Sequence, residues 1–513
     1  MNTDERAVIR SLATGVPGLD RVLGGGLPEY SFNLVAGGPG SGKTTLAHQI
    51  VFANATPERP ALYFTVLGEP TIKMLRYQRQ FNFFDPTLTG SAIQFVNLTE
   101  EVMGGDLTGV LQKIVSEVER TKPGIVVVDS FRTIAGREVA FDLERFIQGL
   151  ALQLTSWEVT SFLLGEYADE EQRNPVFTVA DGILWLSQAT DRNSVVRKLQ
   201  VVKVRGRAPM PGLHTFRITD DGLQVFPRIP EQTQARQPST RERLSTGVPG
   251  LDEMTGGGIV AGDAVMLTGP AGSGKSTVAN QFIVAGLTSG ETGVIAVFEE
   301  YPEEYLARAE ARDPLVGEMI RSGKLEVIYL RPLDLSVDEA LYEILGAVGR
   351  LKAKRVVIDS LSGFEVALAP TFREDFRESL YRLVGTLTAT GVTVFMTAEV
   401  VEGFSDVRFT AEKVSFITDE IIIQRYVEIE GELKRVMAVI KMRGSDHSHE
   451  LRSYELTARG LVMGDSLREY DGIMTGIPSL RAKPTPVSKP ATVTKLAATN
   501  KAGKKPLAAK RDR

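Results

Sequence analysis

The chain of 513 residues is 42% apolar, enough for more than one core, and has no cysteine, which excludes disulfides, thiolate metal sites and cysteine nucleophiles. Its net charge of −5 is uneven: residues 481–513 hold ten Lys and Arg against one Asp, so the remainder stands at −14, the wrong sign for a fold devoted to gripping nucleic-acid phosphates. No window holds the roughly eighteen apolar residues a membrane span needs, and MNTDERAVIR lacks a leader pattern, so the expectation is a soluble, cytoplasmic protein.

In chain order, the heptad TGVPGLD at 14–20 leads through GGGLPEY into an apolar strand, SFNLVAG. The loop GGPGSGKT at 37–44 follows, then helix TTLAHQIVFAN, strand ALYFTVL, helix TIKMLRYQRQF, strand AIQFVNL, helix LTGVLQKIVSEVER and strand GIVVVDS. The runs GILWLS, VVRKLQVVKVRG and LHTFRITDDGLQVF come without recognisable helices between them and read as antiparallel strands at one edge. A polar, proline-bearing stretch follows, and then the order begins again. TGVPGLD recurs at 246, a spacing of 232; GPAGSGKS at 269 repeats the loop at the same spacing. VVIDS sets Asp359 against Asp129 at 230, and KMRG sets Lys441 against Lys203 at 238. Between them stand DAVMLTG, TVANQFIVAGL, GVIAVFE, EEYLARAEA, KLEVIYL, VDEALYEILGAVGRL and RVVIDS. Strands alternating with helices give a mainly parallel sheet with right-handed crossovers. The reading is two tandem α/β domains, 1–230 and 244–480, a linker at 231–243 and a Lys- and Pro-rich disordered tail at 481–513.

Both loops fit G-x-x-x-x-G-K-[ST] between a strand and a helix, the context that a phosphate loop requires. In the first, the backbone of Gly37, Gly38, Gly40, Ser41, Gly42 and Thr45 is expected to surround phosphate oxygens, with Lys43 reaching the β and γ phosphates. Gly269, Ala271, Gly272, Ser273, Gly274 and Thr277 repeat the cradle in the second, with Lys275 as its cation. Thr44 and Ser276 supply hydroxyls for Mg²⁺, and Asp129 and Asp359, each ending a buried strand, are the metal-side acids. Hydrolysis further needs a carboxylate that orients water, and AVFEEYPEE offers Glu299 and Glu300 at a strand end. The first copy reads YFTVLGEP, so the aligned positions carry Leu67 and Gly68, and Glu69 is the nearest substitute. Lys203 with Arg205, and Lys441 with Arg443, alternate on strands and are candidate contacts to a neighbouring subunit's nucleotide. His447 and His449 lack companion ligands and read as polar loop residues.

The repeated heptad, paired loops, FEE, KVRG, KMRG and the stretch TDEIIIQRYVEIEGELKRVMAVIKMRGSDHSHELRSYELTARGL resemble the KaiC family, double-domain RecA-like ATPases and autokinases of the cyanobacterial clock. The resemblance covers residues 11–480 and implies tandem RecA-like P-loop NTPase domains, a hexameric ring homo-oligomer with Mg-ATP between subunits, and KaiB-like partners. It also implies phosphate transfer to an adjacent Ser-Thr pair before I-T-D. Here KVSFITDE places Ser415 at the Ser and Phe416 at the Thr, with Thr410 matching an auxiliary acceptor, so a two-site cycle loses one hydroxyl. A RecA/RadA-like DNA-dependent ATPase is the alternative from the same loops, with the basic tail as its support and the acidic body against it.

Overall fold

The computed structural model describes residues 9–66, 71–103, 107–131, 140–167, 175–191, 194–229, 242–330, 334–373, 376–400, 417–475 and 478–481. The first half builds one sheet from β1 (Phe32–Gly37), β2 (Ala61–Thr65), β3 (Ile93–Asn97), β4 (Ile125–Asp129), β5 (Thr160–Glu166), β6 (Gly182–Asp191), β7 (Ser194–Val204), β8 (Leu213–Thr219) and β9 (Gly222–Phe226), in the order 9-8-7-6-1-5-4-2-3. The second half uses β10 (Ala264–Gly269), β11 (Gly293–Val297), β12 (Leu325–Tyr329), β13 (Arg355–Asp359), β14 (Thr393–Glu399), β15 (Glu420–Ile429), β16 (Glu432–Met442), β17 (Arg452–Thr457) and β18 (Gly460–Ser466), in the order 18-17-16-15-10-14-13-11-12. Subtracting nine from each label converts the second order into the first. Two helix-flanked sheets of one topology are therefore joined in tandem, the RecA-like arrangement.

The central strands explain this layout. FNLVAG of β1 and AVMLTG of β10 are buried on both faces, as continuous apolar runs require, and each has parallel neighbours on both sides. On one face of the first sheet lies α1 (Lys43–Asn54), with Leu46, Ile50 and Val51 in the core; on the other lie α2 (Leu107–Thr121) and α3 (Ala140–Ser156), through Val110, Ile114, Ile147 and Leu150. The second sheet repeats this with α4 (Lys275–Thr288) opposite α5 (Val337–Leu351) and α7 (Phe376–Ala389), while the short α6 (Leu361–Ala367) follows β13. Ser336 caps α5 by accepting from the Glu339 amide at 3.1 Å. Among the described residues, no helix is long and apolar enough to cross a membrane.

One strand assignment changes. GILWLS, expected in the antiparallel edge, forms β6 and runs parallel to β1; only β7, β8 and β9 are antiparallel additions. Among the described residues, the connection from β5 carries one helical turn, Pro175–Val179, too short to stand out in the sequence.

The two TGVPGLD segments brace themselves. Asp20 accepts from the Thr14 amide and hydroxyl at 2.9 and 2.7 Å, and Asp252 accepts from the same groups of Thr246 at 2.8 and 2.5 Å. Gly18 has a left-handed φ of 80°, and a Cβ there would lie 1.9 Å from the Val225 carbonyl, so the heptad's glycine lets the turn press on β9. Gln49 of α1 and Gln281 of α4 reach across to the outermost strands, accepting from the amides of Leu223 and Leu461 at 2.7 and 2.8 Å. The phosphate-loop helix is thereby tied to the far edge of its own sheet. Between the halves, Ile229 is buried in the second half's core, Phe226 meets Tyr342 edge-on at 5.6 Å, and Arg217 pairs with Glu339 of α5.

Asp252→Ala strands the buried Thr246 amide, and we expect a loss of about 1–3 kcal/mol in denaturant unfolding of the second half. Asp252→Asn, which keeps an acceptor, recovers most of that loss.

Candidate active site

Each phosphate loop leaves the carboxyl end of its central strand and opens a helix whose first turn has amides without intrahelical partners. Gly42 and Gly274 cap α1 and α4 with φ of 98° and 96°; a Cβ on either would press within 2.8 Å of Ile218 or 2.5 Å of Leu456. Only glycine serves at this corner. Lys43 crosses its loop, donating to the Gly37 and Gly38 carbonyls at 3.0 and 2.8 Å; Lys275 does the same to Gly269 and Pro270 at 2.9 and 2.8 Å.

The hydroxyl–aspartate pairs expected to hold Mg²⁺ are brought together in both halves. Thr44 donates to Asp129 Oδ2 at 2.9 Å, and Ser276 bonds Asp359. A second hydroxyl joins each aspartate: Tyr63 donates to Asp129 Oδ2 at 2.9 Å, and Thr397 to Asp359 Oδ1 at 2.5 Å. Burial pushes both carboxyls above the ordinary value despite these bonds, and burial pushes both loop lysines down. Cation and anion are thus each held where charge is expensive, a condition that a triphosphate and a divalent ion relieve. Hydroxyl and carboxylate oxygens form the hard donor set that Mg²⁺ prefers.

Glu299 and Glu300 follow β11 at the same edge of the second sheet. The Ser360 hydroxyl, which caps α6 by accepting from the Gly363 amide at 3.1 Å, donates to Glu299 Oε1 at 2.7 Å. Glu300 pairs with Arg308 on the helix Pro302–Arg312. Asp359 and Glu299 both raise the proton affinity of Lys275 against its burial, and Glu299 raises that of Asp359. Glu69 lies outside the described residues, as do Thr410, Ser415 and Phe416.

A sequence family described as the KaiC ATPase matches residues 12–229 and again 244–468, one match for each sheet. The chain belongs to the KaiC family. It is similar to the circadian clock oscillator protein KaiC of Picosynechococcus, 28% identical over 92% of this chain and 93% of the relative. KaiC 1 of Synechocystis is likewise 28% identical over 92% and 93%, and KaiC of Synechococcus elongatus is 27% identical over 93% of both. Both halves are ATPase domains of the KaiC type.

The KaiC-family sheet sends the other basic residues elsewhere. Lys203 pairs in register with Ile183 near the start of β6, and Lys441 with Ile421 near the start of β15. These are the amino ends of the parallel strands, and four residues of β10 separate that edge from Gly269, about 13 Å at strand rise. There Lys203 donates to the Thr178 carbonyl at 3.4 Å and Arg205 pairs with Asp181 at 2.9 Å; Lys441 donates to the Thr418 carbonyl at 2.6 Å and Arg443 pairs with Asp419 at 3.3 Å. Neither pair joins the phosphate loop of its own half.

Several residues of the KaiC-type sites escape a motif search. Glu166 and Glu399 end β5 and β14 directly beside Gly37 and Gly269 and raise the lysines' proton affinity against burial. Their signal was a Glu at equivalent ends of two apolar runs, SFLLGE and VFMTAE. Ser360 sat in view inside VVIDS, whereas Tyr63 and Thr397 looked like ordinary strand residues.

Glu420 opens β15 beside Asp263 and Asp419. Burial pushes its carboxyl from 4.5 to about 7, while the Val260 amide and Arg243 pull the other way. Because the folded value is the higher one, the fold favours the protonated acid, and stability falls as pH rises from 4.5 through about 7. We expect Glu420→Gln to be more stable than wild type at pH 8 by about 2–3 kcal/mol and equal to it near pH 4.5, measured by denaturant midpoints across pH.

Proposed function

We propose that this KaiC-family chain is a Mg-ATP-dependent ATPase and serine/threonine autokinase. It assembles as a ring homo-oligomer, hexameric as in the resemblance, and presents its nucleotide and phosphorylation state to protein partners of the KaiB kind. The observation that carries the reading is the second-half cluster at one sheet edge: Lys275, Ser276 with Asp359, and the Ser360-held Glu299 beside the Arg308-paired Glu300.

The chain's own groups divide the work as follows. The loop amides and Lys275 bind the triphosphate of the substrate ATP, and Lys43 does so in the first half. Thr44 with Asp129, and Ser276 with Asp359, are the residues that would hold Mg²⁺, which supplies Lewis-acid neutralisation of the phosphate oxygens when bound. Ser360 fixes one oxygen of Glu299, and the other oxygen takes the proton of the attacking water or hydroxyl. Arg308 pairs with Glu300 and fixes that carboxylate next in sequence to Glu299.

The distribution of the remaining residues supports transfer between subunits. Ser415 precedes Ile417 by two positions, and the strand that follows opens at the edge occupied by Lys441 and Arg443. That edge is remote from the same half's loop, so the two cations suit a neighbour's nucleotide, as ATP between ring subunits requires. With Phe416 in place of the second hydroxyl, Ser415 is the principal acceptor and Thr410 the auxiliary one.

Two measurements check this. Phosphate release by Glu299→Gln/Glu300→Gln, read with the first site disabled by Lys43→Ala, should fall about a hundredfold or more; an equal rate removes the two carboxylates from the chemistry. Label from the γ-phosphate of ATP should appear on the protein and largely vanish in Ser415→Ala, and labelling that survives Ser415→Ala/Thr410→Ala overturns the acceptor assignment.

A further inference from the structure

The two metal-side aspartates are supported from opposite directions. Asp129 ends β4, which lies between β2 and β5. From β2, the fully buried Tyr63 sends its hydroxyl to Asp129 Oδ2; from β5, the residue directly beside Asp129 in register is Leu164, an apolar core residue. In the second half the roles are exchanged. Ile295 of β11 occupies the place of Tyr63, both falling at the third position of their strands, and is an apolar core residue; Thr397 of β14 bonds Asp359. Thr397 is the counterpart of Leu164, since each stands two residues before the glutamate that faces the first loop glycine, Glu166 opposite Gly37 and Glu399 opposite Gly269. Each aspartate therefore receives one hydroxyl from a flanking strand, and the opposite strand supplies an apolar residue.

The first-half donor is itself held in place. His48, one turn along α1 from Thr44, stacks on the Tyr63 ring at 4.5 Å with 22° between planes. Its Nδ1 lies 2.8 Å from the Thr44 carbonyl, which can only accept, so Nδ1 carries the proton and the ring orientation is fixed. Tyr63 thus cannot turn its hydroxyl away without disturbing the helix that begins at the phosphate loop. In the second half Asn280 takes the position of His48 and bonds Tyr305 instead, which leaves Asp359 to Thr397 and Ser276.

We propose that Tyr63 and Thr397 are positioning residues that aim Asp129 and Asp359 at the divalent ion of bound Mg-ATP, and that the two nucleotide sites consequently carry separate, exchangeable supports. This rests on the Mg-ATP reading above and adds which side chains set the metal affinity of each half. Were Tyr63 merely a core residue whose hydroxyl needed a partner, a threonine placed on the other strand would have no reason to replace it.

The test is a Mg²⁺ titration of full-length protein that follows retention of a fluorescent ATP analogue. The first site is read in a Lys275→Ala background and the second in Lys43→Ala. Tyr63→Phe should raise the half-saturating Mg²⁺ at the first site about tenfold or more, the usual effect of losing a hydrogen bond to a charged group. Adding Leu164→Thr should bring it back to within about threefold of the parent. Thr397→Val should produce the same tenfold rise at the second site and none at the first. An unchanged half-point in Tyr63→Phe, or failure of Leu164→Thr to restore it in protein with wild-type melting, overturns the proposal. If the first-half variants do not fold, Thr397→Val decides alone, an unchanged half-point being fatal. Absence of analogue retention by the unsubstituted chain at every Mg²⁺ concentration instead overturns the ATP reading beneath.

Discussion

A strand buried on both faces with parallel neighbours on both sides governs this molecule. β1 and β10 can satisfy their backbone only through the sheet, so chain reversals fall at strand ends. At the carboxyl ends, consecutive elements deliver the loop glycines, Lys43 or Lys275, Asp129 or Asp359, and Glu166 or Glu399 to one edge. At the amino ends they deliver Lys203 and Arg205 or Lys441 and Arg443 to the other. The site is a consequence of where a parallel sheet ends, which is why residues more than a hundred positions apart share it.

The electrostatics of that edge run against the stability of the isolated fold. Burial drives the loop lysines and the strand-end aspartates toward neutrality, and neighbouring carboxylates for the lysines and hydroxyls for the aspartates only partly offset it. Such a site is organised for a highly charged occupant, because a polyphosphate with a cation restores to each group the opposite charge it lacks. The supports that keep these groups aligned lie away from the chemistry. Gln49 and Gln281 tie the loop helices to the outermost strands, and the two TGVPGLD turns close on their own aspartates.

Duplication has not left the halves equivalent. The second carries Glu299 and Glu300 where the first has Leu67 and Gly68. The second supports its aspartate with Thr397, the first with Tyr63 stacked on His48. Ser273 of the second loop donates to the buried Gln424 at 2.9 Å, whereas Leu186 holds that strand position in the first, its carbonyl pressed on Gly37. Differences of this kind beside loops of one shared motif set the surroundings of the two loops apart.

What the sequence determined by itself was whatever local geometry makes obligatory. Glycines at left-handed corners, a lysine at fixed spacing after them, aspartates ending β-branched runs and a repeat at constant offset mark a strand, a loop and a helix in order in each half, and each was legible. The parallel direction of GILWLS, the exchange of Tyr63 for Thr397, the hold of Ser360 on Glu299 and the placement of Lys441 and Arg443 away from their own loop were decided only by tertiary structure. Each depends on which strand lies beside which, a pairing set by burial across the whole sheet and invisible to any short window of sequence.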